Sequence, residues 1–198
     1  MATNTAVKHA LVLAGGHSER MGSDKAALPN GDSDQLSHTV ALASRHVANV
    51  YVSVRADQRD EPLRARFPQI VDRYPGHGPL SGIMSALEFH KARPWLVLAC
   101  DLPALNDTTL EYLLNRVDSD AIATAYAAEN NGLPEPLCAV WMPSALGPCH
   151  ESVALQRSCP RKILIQNRAI LLALPTAGAL DNANTPADLA RIHERLAQ

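Results

Sequence analysis

Near the amino terminus a short apolar run, His9-Ala10-Leu11-Val12-Leu13, leads directly into Ala14-Gly15-Gly16 and then into a polar stretch carrying two cations, Arg20 and Lys25. A run of that length bounded by glycines reads as a first strand buried on both faces, as in a parallel sheet. Parallel strands need crossover connections, so this feature directs the chain towards an α/β architecture. Gly15 and Gly16 lack a Cβ and can let backbone N–H groups come close to a ligand, as glycine loops at the carboxyl ends of strands do for phosphates. With Gly22 between Arg20 and Lys25, the loop offers backbone donors, a forked guanidinium and an ammonium, a set suited to a triphosphate. The spacing matches neither G-x-x-x-x-G-K-[ST] nor G-x-G-x-x-G. Taken alone, a Gly-Gly pair also serves simply as a tight strand-to-helix turn.

The rest of the chain repeats the strand-and-helix alternation. Pro29-Asn30-Gly31-Asp32 is a turn cluster, and Leu36, Val40, Ala43 and Val47 recur at helical spacing. Val50 to Val54 is a β-branched strand, followed by a polar segment, Arg55 to Arg66, that reads as a partly helical, solvated face. Gln69-Ile70-Val71 is a short strand ending on Asp72, and a helix begins near Pro79 after a glycine- and proline-rich stretch. Trp95 to Cys100 is uninterruptedly apolar, suits the centre of a parallel sheet, and ends on Asp101. In doubly wound sheets ligands lie beyond the carboxyl ends of the strands, so Asp101 is expected on the same edge as the glycine loop, where an oxygen ligand suits Mg²⁺. An acid there also serves to cap the turn with Pro103. Asn106 caps a helix through Leu110, Leu113 and Leu114; Ala121 to Tyr126 is a strand; and Asn131-Gly132 precedes the apolar run Leu137 to Trp141 in a hairpin-like, locally antiparallel excursion. A last strand spans Ala169 to Leu174. Thr185, Pro186 and Asp188 then start a final helix.

Composition excludes several classes. The chain has 198 residues, 46% of them hydrophobic with no long apolar run, and fits one soluble domain without a membrane span. Its first residues lack the build of a secretory signal, which points to the cytoplasm. The four cysteines show no C-x-x-C spacing and the eight histidines no metal spacing, so neither a disulfide framework nor a zinc site is expected. With 18 basic against 20 acidic residues, no basic block suggests nucleic acid. His17, Ser18 and Glu19 are merely adjacent in a loop, which does not make a catalytic triad.

The pattern L-A-G-G-x-x-x-R-M-G-x-D-K is much more specific than its glycines alone. Leu13, Ala14, Gly15, Gly16, Arg20, Met21, Gly22, Asp24 and Lys25 match it at every position, and here the chain resembles the nucleotidyltransferase family that includes molybdenum cofactor guanylyltransferase. Cys100 to Pro103 is similar to that family's C-D-x-P motif, Gly78 to Gly82 to its G-P-L-x-G, and Asn182 to Pro186 to its closing N-x-N-T-P. One position departs: Ser53 stands where the guanylyltransferases commonly carry asparagine.

The resemblance implies a doubly wound, mostly parallel α/β domain over residues 1–198, with a nucleotide-binding half at about 7–105 and an acceptor-binding half at about 106–198. It implies Mg²⁺-dependent transfer of GMP from GTP to molybdopterin or molybdenum cofactor. Leu13, Ala14, Gly15, Gly16, Lys25, Asp72 and Asp101 would bind the nucleotide, Arg20, Lys25 and Asp101 would serve catalysis, and Asp101 would hold the metal. Arg161, Lys162, Asn182 and Asn184 would face the acceptor, although on charge pattern alone Arg157, Arg161 and Lys162 read as a solvated helix face. Molybdenum cofactor biosynthesis proteins and molybdoenzyme chaperones are the protein partners that family analogy suggests. The alternatives are a transferase using CTP or another nucleotide, or a sugar-phosphate acceptor, and, more distantly, a nucleotide-binding module without chemistry.

Overall fold

A computed structural model describes residues 7–15, 24–30, 33–183 and 186–196. Its strands are β1 (His9–Leu13), β2 (Pro29–Asn30), β3 (Ser33–Asp34), β4 (Asn49–Val54), β5 (Gln69–Val71), β6 (Trp95–Ala99), β7 (Ala123–Ala127), β8 (Pro134–Trp141) and β9 (Ile170–Leu172). Its α-helices are α1 (Gln35–Ser44), α2 (Pro79–Phe89), α3 (Asp107–Leu114), α4 (Leu146–Ala154), α5 (Pro160–Gln166) and α6 (Pro186–Leu196). Seven strands form one sheet in the order β5-β4-β1-β6-β8-β7-β9, and β2 pairs with β3 in a separate two-stranded ribbon.

All the sheet strands run parallel except β8, which is antiparallel to both β6 and β7. The expected mostly parallel, helix-flanked sheet is therefore present, and the antiparallel excursion is β8 slotted between β6 and β7. From β1 the chain moves to β4 and β5 on one side, then returns to β6 on the other. That reversal leaves a crevice beyond the carboxyl end of β1, the place where open α/β sheets bind ligands. Register sets its walls, because Leu13 lies opposite Ser53 on β4 and Ala99 on β6.

The two-residue period of the strands divides the core. Leu11 and Val97 pack with α2, α4 and α5 on one face, while Ala10, Leu96 and Leu98 pack with α1 and α3 on the other. Trp95 and Trp141 are fully buried in the first of these clusters. Asp34 caps α1, its Oδ1 accepting from Ser37 N at 2.7 Å, and Asn106 caps α3, accepting from Thr109 N at 2.9 Å.

Several sequence expectations are adjusted by this packing. The turn cluster at Pro29 opens the short β2–β3 ribbon, α1 ends at Ser44 short of Val47, and the last strand is only three residues long at the sheet edge. The cap position Thr185 lies outside the described residues, while α6 itself is present. The largest correction concerns Arg55 to Arg66. Two 3-10 turns form there, at Ala56–Gln58 and Arg64–Arg66, but the face is not uniformly solvated: Gln58 and Arg64 are 4% and 1% exposed. Arg64 donates to Ala14 O and Asp24 at the two ends of the glycine loop, and Gln58 Oε1 accepts from Arg55 N at 3.2 Å, partners that no periodicity could reveal.

Candidate active site

The crevice is built from segments that leave β1, β4, β5 and β6 at their carboxyl ends. Ala14 continues β1, donating its N–H to Ser53 O at 3.3 Å, and Gly15 follows. After the loop, Asp24 accepts from Ala26 N at 3.0 Å and so starts the turn Lys25–Ala27. This turn carries Lys25 back across the crevice, where its Nζ donates to Asp101 Oδ2 at 2.9 Å. The two side chains are 26% and 20% exposed, open enough to receive a ligand. Gly16, Arg20 and Asn184 lie outside the described residues.

Asp72 follows β5 and turns towards the same loop. A Cβ added at Gly15 would lie 3.4 Å from Asp72 Oδ2, an ordinary van der Waals contact, so the start of the loop and this carboxylate are direct neighbours. Ser53 Oγ donates to Asp72 Oδ1 at 2.6 Å. Burial pushes the Asp72 carboxyl up to about 6, with the Ser53 hydroxyl and the Arg55 charge pulling in the opposite sense. Ser53 is itself 1% exposed. A Cβ at Gly82 would meet Ser53 Oγ at 2.5 Å and Leu13 Cδ2 at 2.6 Å, so the first turn of α2 lies directly on both residues. The G-P-L-x-G stretch is thus a packing device. Gly78 at φ 52° turns the chain and Pro79 begins the helix, while Gly82 permits close approach.

Beyond β6, Asp101 O accepts from Ala183 N at 3.2 Å, which brings the Asn182 segment beside the metal-ligand candidate. Because β8 runs against its neighbours, its first residues rather than its last come to this edge. Glu135 there accepts from Arg161 Nη2 at 3.2 and 3.1 Å, and Arg161 Nε donates to Pro134 O at 2.9 Å. Arg161 and Asn182 line a cavity of about 150 Å³ together with Ala99, Leu102 and Glu135. Asn182 also borders a wider depression of about 410 Å³ beside Glu129, Asn130 and Arg191. Lys162 lines neither. The structure therefore brings Leu13, Ala14, Gly15, Lys25, Asp72 and Asp101 to the carboxyl-end edge of β1, β4, β5 and β6, with Lys25 meeting Asp101 and Gly15 meeting Asp72, and sets Arg161 and Asn182 beside a neighbouring cavity. The simple solvated-face reading fails for Arg161, which is held by Glu135 and Pro134.

Sequence reasoning missed two residues at the loop. Arg55 Nη1 donates to Gly15 O at 2.6 Å, and Arg64 donates to Ala14 O and Asp24. Both sit in a segment with several arginines, and only the apolar neighbours Leu63 and Phe67 hint that one of them turns inward. The Cys100 thiol beside Asp101 is pushed up to about 12 by burial and stays protonated. Among the described residues no cluster of three or more histidine, cysteine or carboxylate side chains is arranged for a metal ion. No described helix is long and apolar enough to cross a membrane.

A switch-point crevice with a lysine from the glycine loop facing an aspartate from the next strand defines a nucleotide-handling transferase of the α/β class. The MobA-like NTP transferase domain model matches residues 10–170. A probable molybdenum cofactor guanylyltransferase of Trichormus variabilis is 34% identical over 92% of this chain and 89% of its own. A molybdenum cofactor biosynthesis bifunctional protein of Synechocystis is 33% identical over 93% of this chain, which spans only 53% of that relative. The crystal structure of molybdopterin-guanine dinucleotide biosynthesis protein A from Archaeoglobus fulgidus superposes with a TM-score of 0.77 at 22% identity, covering 96% of this chain and 98% of that one. The chain belongs to the MobA-like NTP transferases, the family of the molybdenum cofactor guanylyltransferases.

Proposed function

We propose that this protein transfers GMP from GTP to molybdopterin or its molybdenum-loaded form. A terminal phosphate oxygen of the acceptor attacks the α-phosphorus, the bond from that phosphorus to the bridging oxygen breaks, and pyrophosphate leaves. The observation that carries this reading is the meeting of Lys25 and Asp101 at 2.9 Å in the crevice. Negative charge grows on the transferred and leaving oxygens, so catalysis rests on positioning and on cations aimed at those atoms. Lys25 supplies an ammonium, and Arg20, from the signature loop, supplies a guanidinium. Asp72, with Ser53 bonded to it, faces the nucleoside end beside Gly15. Arg161 and Asn182 flank the side from which the acceptor arrives, with Lys162 and Asn184 as further acceptor candidates by resemblance. The nucleotide thus uses residues of about 7–105 and the acceptor those of about 106–198, within one domain.

Mg²⁺ suits this site. It is commonly held by one or two carboxylates, with phosphate oxygens and waters completing its shell, so a lone aspartate at a phosphate site is sufficient where a cage is absent. Asp101 is partly exposed, carries a hard oxygen donor, and is fixed by the Ala183 N–H on its carbonyl. When bound, the ion would neutralise phosphate charge.

Calorimetric titration with GTP, CTP, ATP and UTP in the presence of Mg²⁺, followed by pyrophosphate release with molybdopterin, tests the proposal. Selective GTP binding with acceptor-dependent release is expected. Selective CTP binding would change the product and keep the mechanism, whereas no nucleotide binding would overturn the reading. A cytoplasmic site of action and partners that supply or receive the cofactor belong to the same proposal.

A further inference from the structure

The connection between β4 and β5 buries a charge that the reaction above does not use. Arg64 is 1% exposed, and all five of its N–H groups find acceptors. Nε and Nη2 donate to Ala14 O at 3.0 and 2.6 Å; Nη1 and Nη2 donate to Asp24 Oδ2 and Oδ1 at 2.6 and 3.1 Å; Nη1 also donates to Glu61 Oε2. Ala14 and Asp24 stand at the two ends of the glycine loop, one just before Gly15 and the other just before Lys25. The guanidinium faces two carboxylates and so is not itself a place for an anion.

In a trans peptide the C=O and the following N–H point in opposite directions. Arg64 draws Ala14 C=O to itself and thereby turns the Gly15 N–H the other way. Arg55 holds the next carbonyl, Gly15 O, at 2.6 Å and is itself fixed by Asp57 at 3.0 and 2.8 Å. Asp24, gripped by Arg64, caps the turn that presents Lys25 to Asp101.

We propose that Arg64 is a positioning residue for the triphosphate: it clasps both ends of the glycine loop, presetting the Gly15 amide and the Lys25 ammonium before nucleotide arrives. The inference rests on the reading that this loop receives a nucleoside triphosphate. It predicts a loss concentrated at the phosphate end of the ligand with little at the nucleoside end, whereas a merely structural role would lower both.

The test compares binding of GTP and of guanosine, by calorimetry and by saturation-transfer NMR, in the wild type, Arg64→Gln, Arg64→Lys, Asp24→Asn and Arg64→Gln/Asp24→Asn. Arg64→Gln should lose about 10-fold or more in GTP affinity, as expected for a bond to a charged group, with guanosine affinity within about 2-fold of the wild type by the same measure. Lysine should restore only part, because an ammonium cannot form the fork. The double variant should be no worse than the single ones, since both remove one shared contact. Arg55→Gln removes the bond to Gly15 O together with the surface pair to Asp57, on a partly exposed side chain, and should show a smaller loss of the same selectivity; it decides the matter if Arg64→Gln does not fold. Equal losses for GTP and guanosine, or unchanged GTP affinity, would overturn the proposal while wild-type binding of GTP left the functional reading standing. A wild type that binds neither ligand would overturn both.

Discussion

Lys25 Nζ lies 2.9 Å from Asp101 Oδ2, although 76 positions separate the two residues. One arrives on the turn after the glycine loop and the other just beyond the most buried strand of the sheet. Their ion pair is partly open to solvent, and such pairs contribute about 1 kcal/mol or less to stability. Loss of a charge-stabilising group aimed at the reacting atoms, in contrast, costs about 100-fold or more in rate. Lys25→Met and Asp101→Asn should therefore abolish most pyrophosphate release while shifting the melting temperature only slightly. Near-normal turnover in either variant would remove these residues from the mechanism.

The Asp72 carboxyl titrates at about 6 in the folded protein, mainly because it is buried. An unfolded chain returns it to its ordinary range, so the native state holds the proton more tightly. Its stabilising contribution is full below the ordinary value of 3.8 and is lost as pH rises through about 6. Asp72→Asn should consequently melt higher than the wild type at pH 8, with the difference vanishing near pH 3.5. If the charged carboxylate contacts the nucleoside, GTP affinity should also weaken as pH falls through 6 in the wild type, and the asparagine variant should lack that inflection. Parallel melts and titrations across this range check both signs.

Gly82 packs where no side chain fits, with Ser53 Oγ and Leu13 Cδ2 both within 2.6 Å of where a Cβ would stand. Gly82→Ala should destabilise the protein by about 1–3 kcal/mol, the usual cost of overpacking. Since Ser53 also holds Asp72, GTP binding should weaken together with stability. Adding Ser53→Ala should recover part of the stability and none of the binding. Urea denaturation of the single and double variants gives the comparison.

Arg161 joins α5 to the start of β8 through Glu135 and Pro134 O. It borders the cavity that also contains Asn182, and it lies on the acceptor side of the proposed reaction. Arg161→Gln should raise the KM for molybdopterin about 10-fold, the effect of losing one charge-assisted hydrogen bond, and leave the Kd for GTP unchanged. An equal change in both constants would place Arg161 in general support of the fold.

The residues that need only local chemistry were readable in the chain itself. The buried runs before Ala14 and Asp101 announced central parallel strands, because only a sheet covered on both faces tolerates such continuous apolarity. The glycine loop with Lys25, and Asp101, are assignable to one edge because a doubly wound sheet brings the carboxyl ends of its strands together, while Asp72 is assignable only through the family resemblance. Tertiary structure decided what depends on partners distant in sequence. Arg64 shares a polar segment with Arg59 and Arg66, and nothing in its neighbours' periodicity separates a guanidinium on the surface from one bonded to Ala14 O fifty positions away. Likewise the insertion of β8 between β6 and β7 places Glu135, rather than the far end of that strand, at the site, since strand direction reverses which terminus reaches the edge. The sequence determined the chemical groups and the fold that gathers them; their orientation came from hydrogen bonds that exist only once the sheet has closed the distance between them.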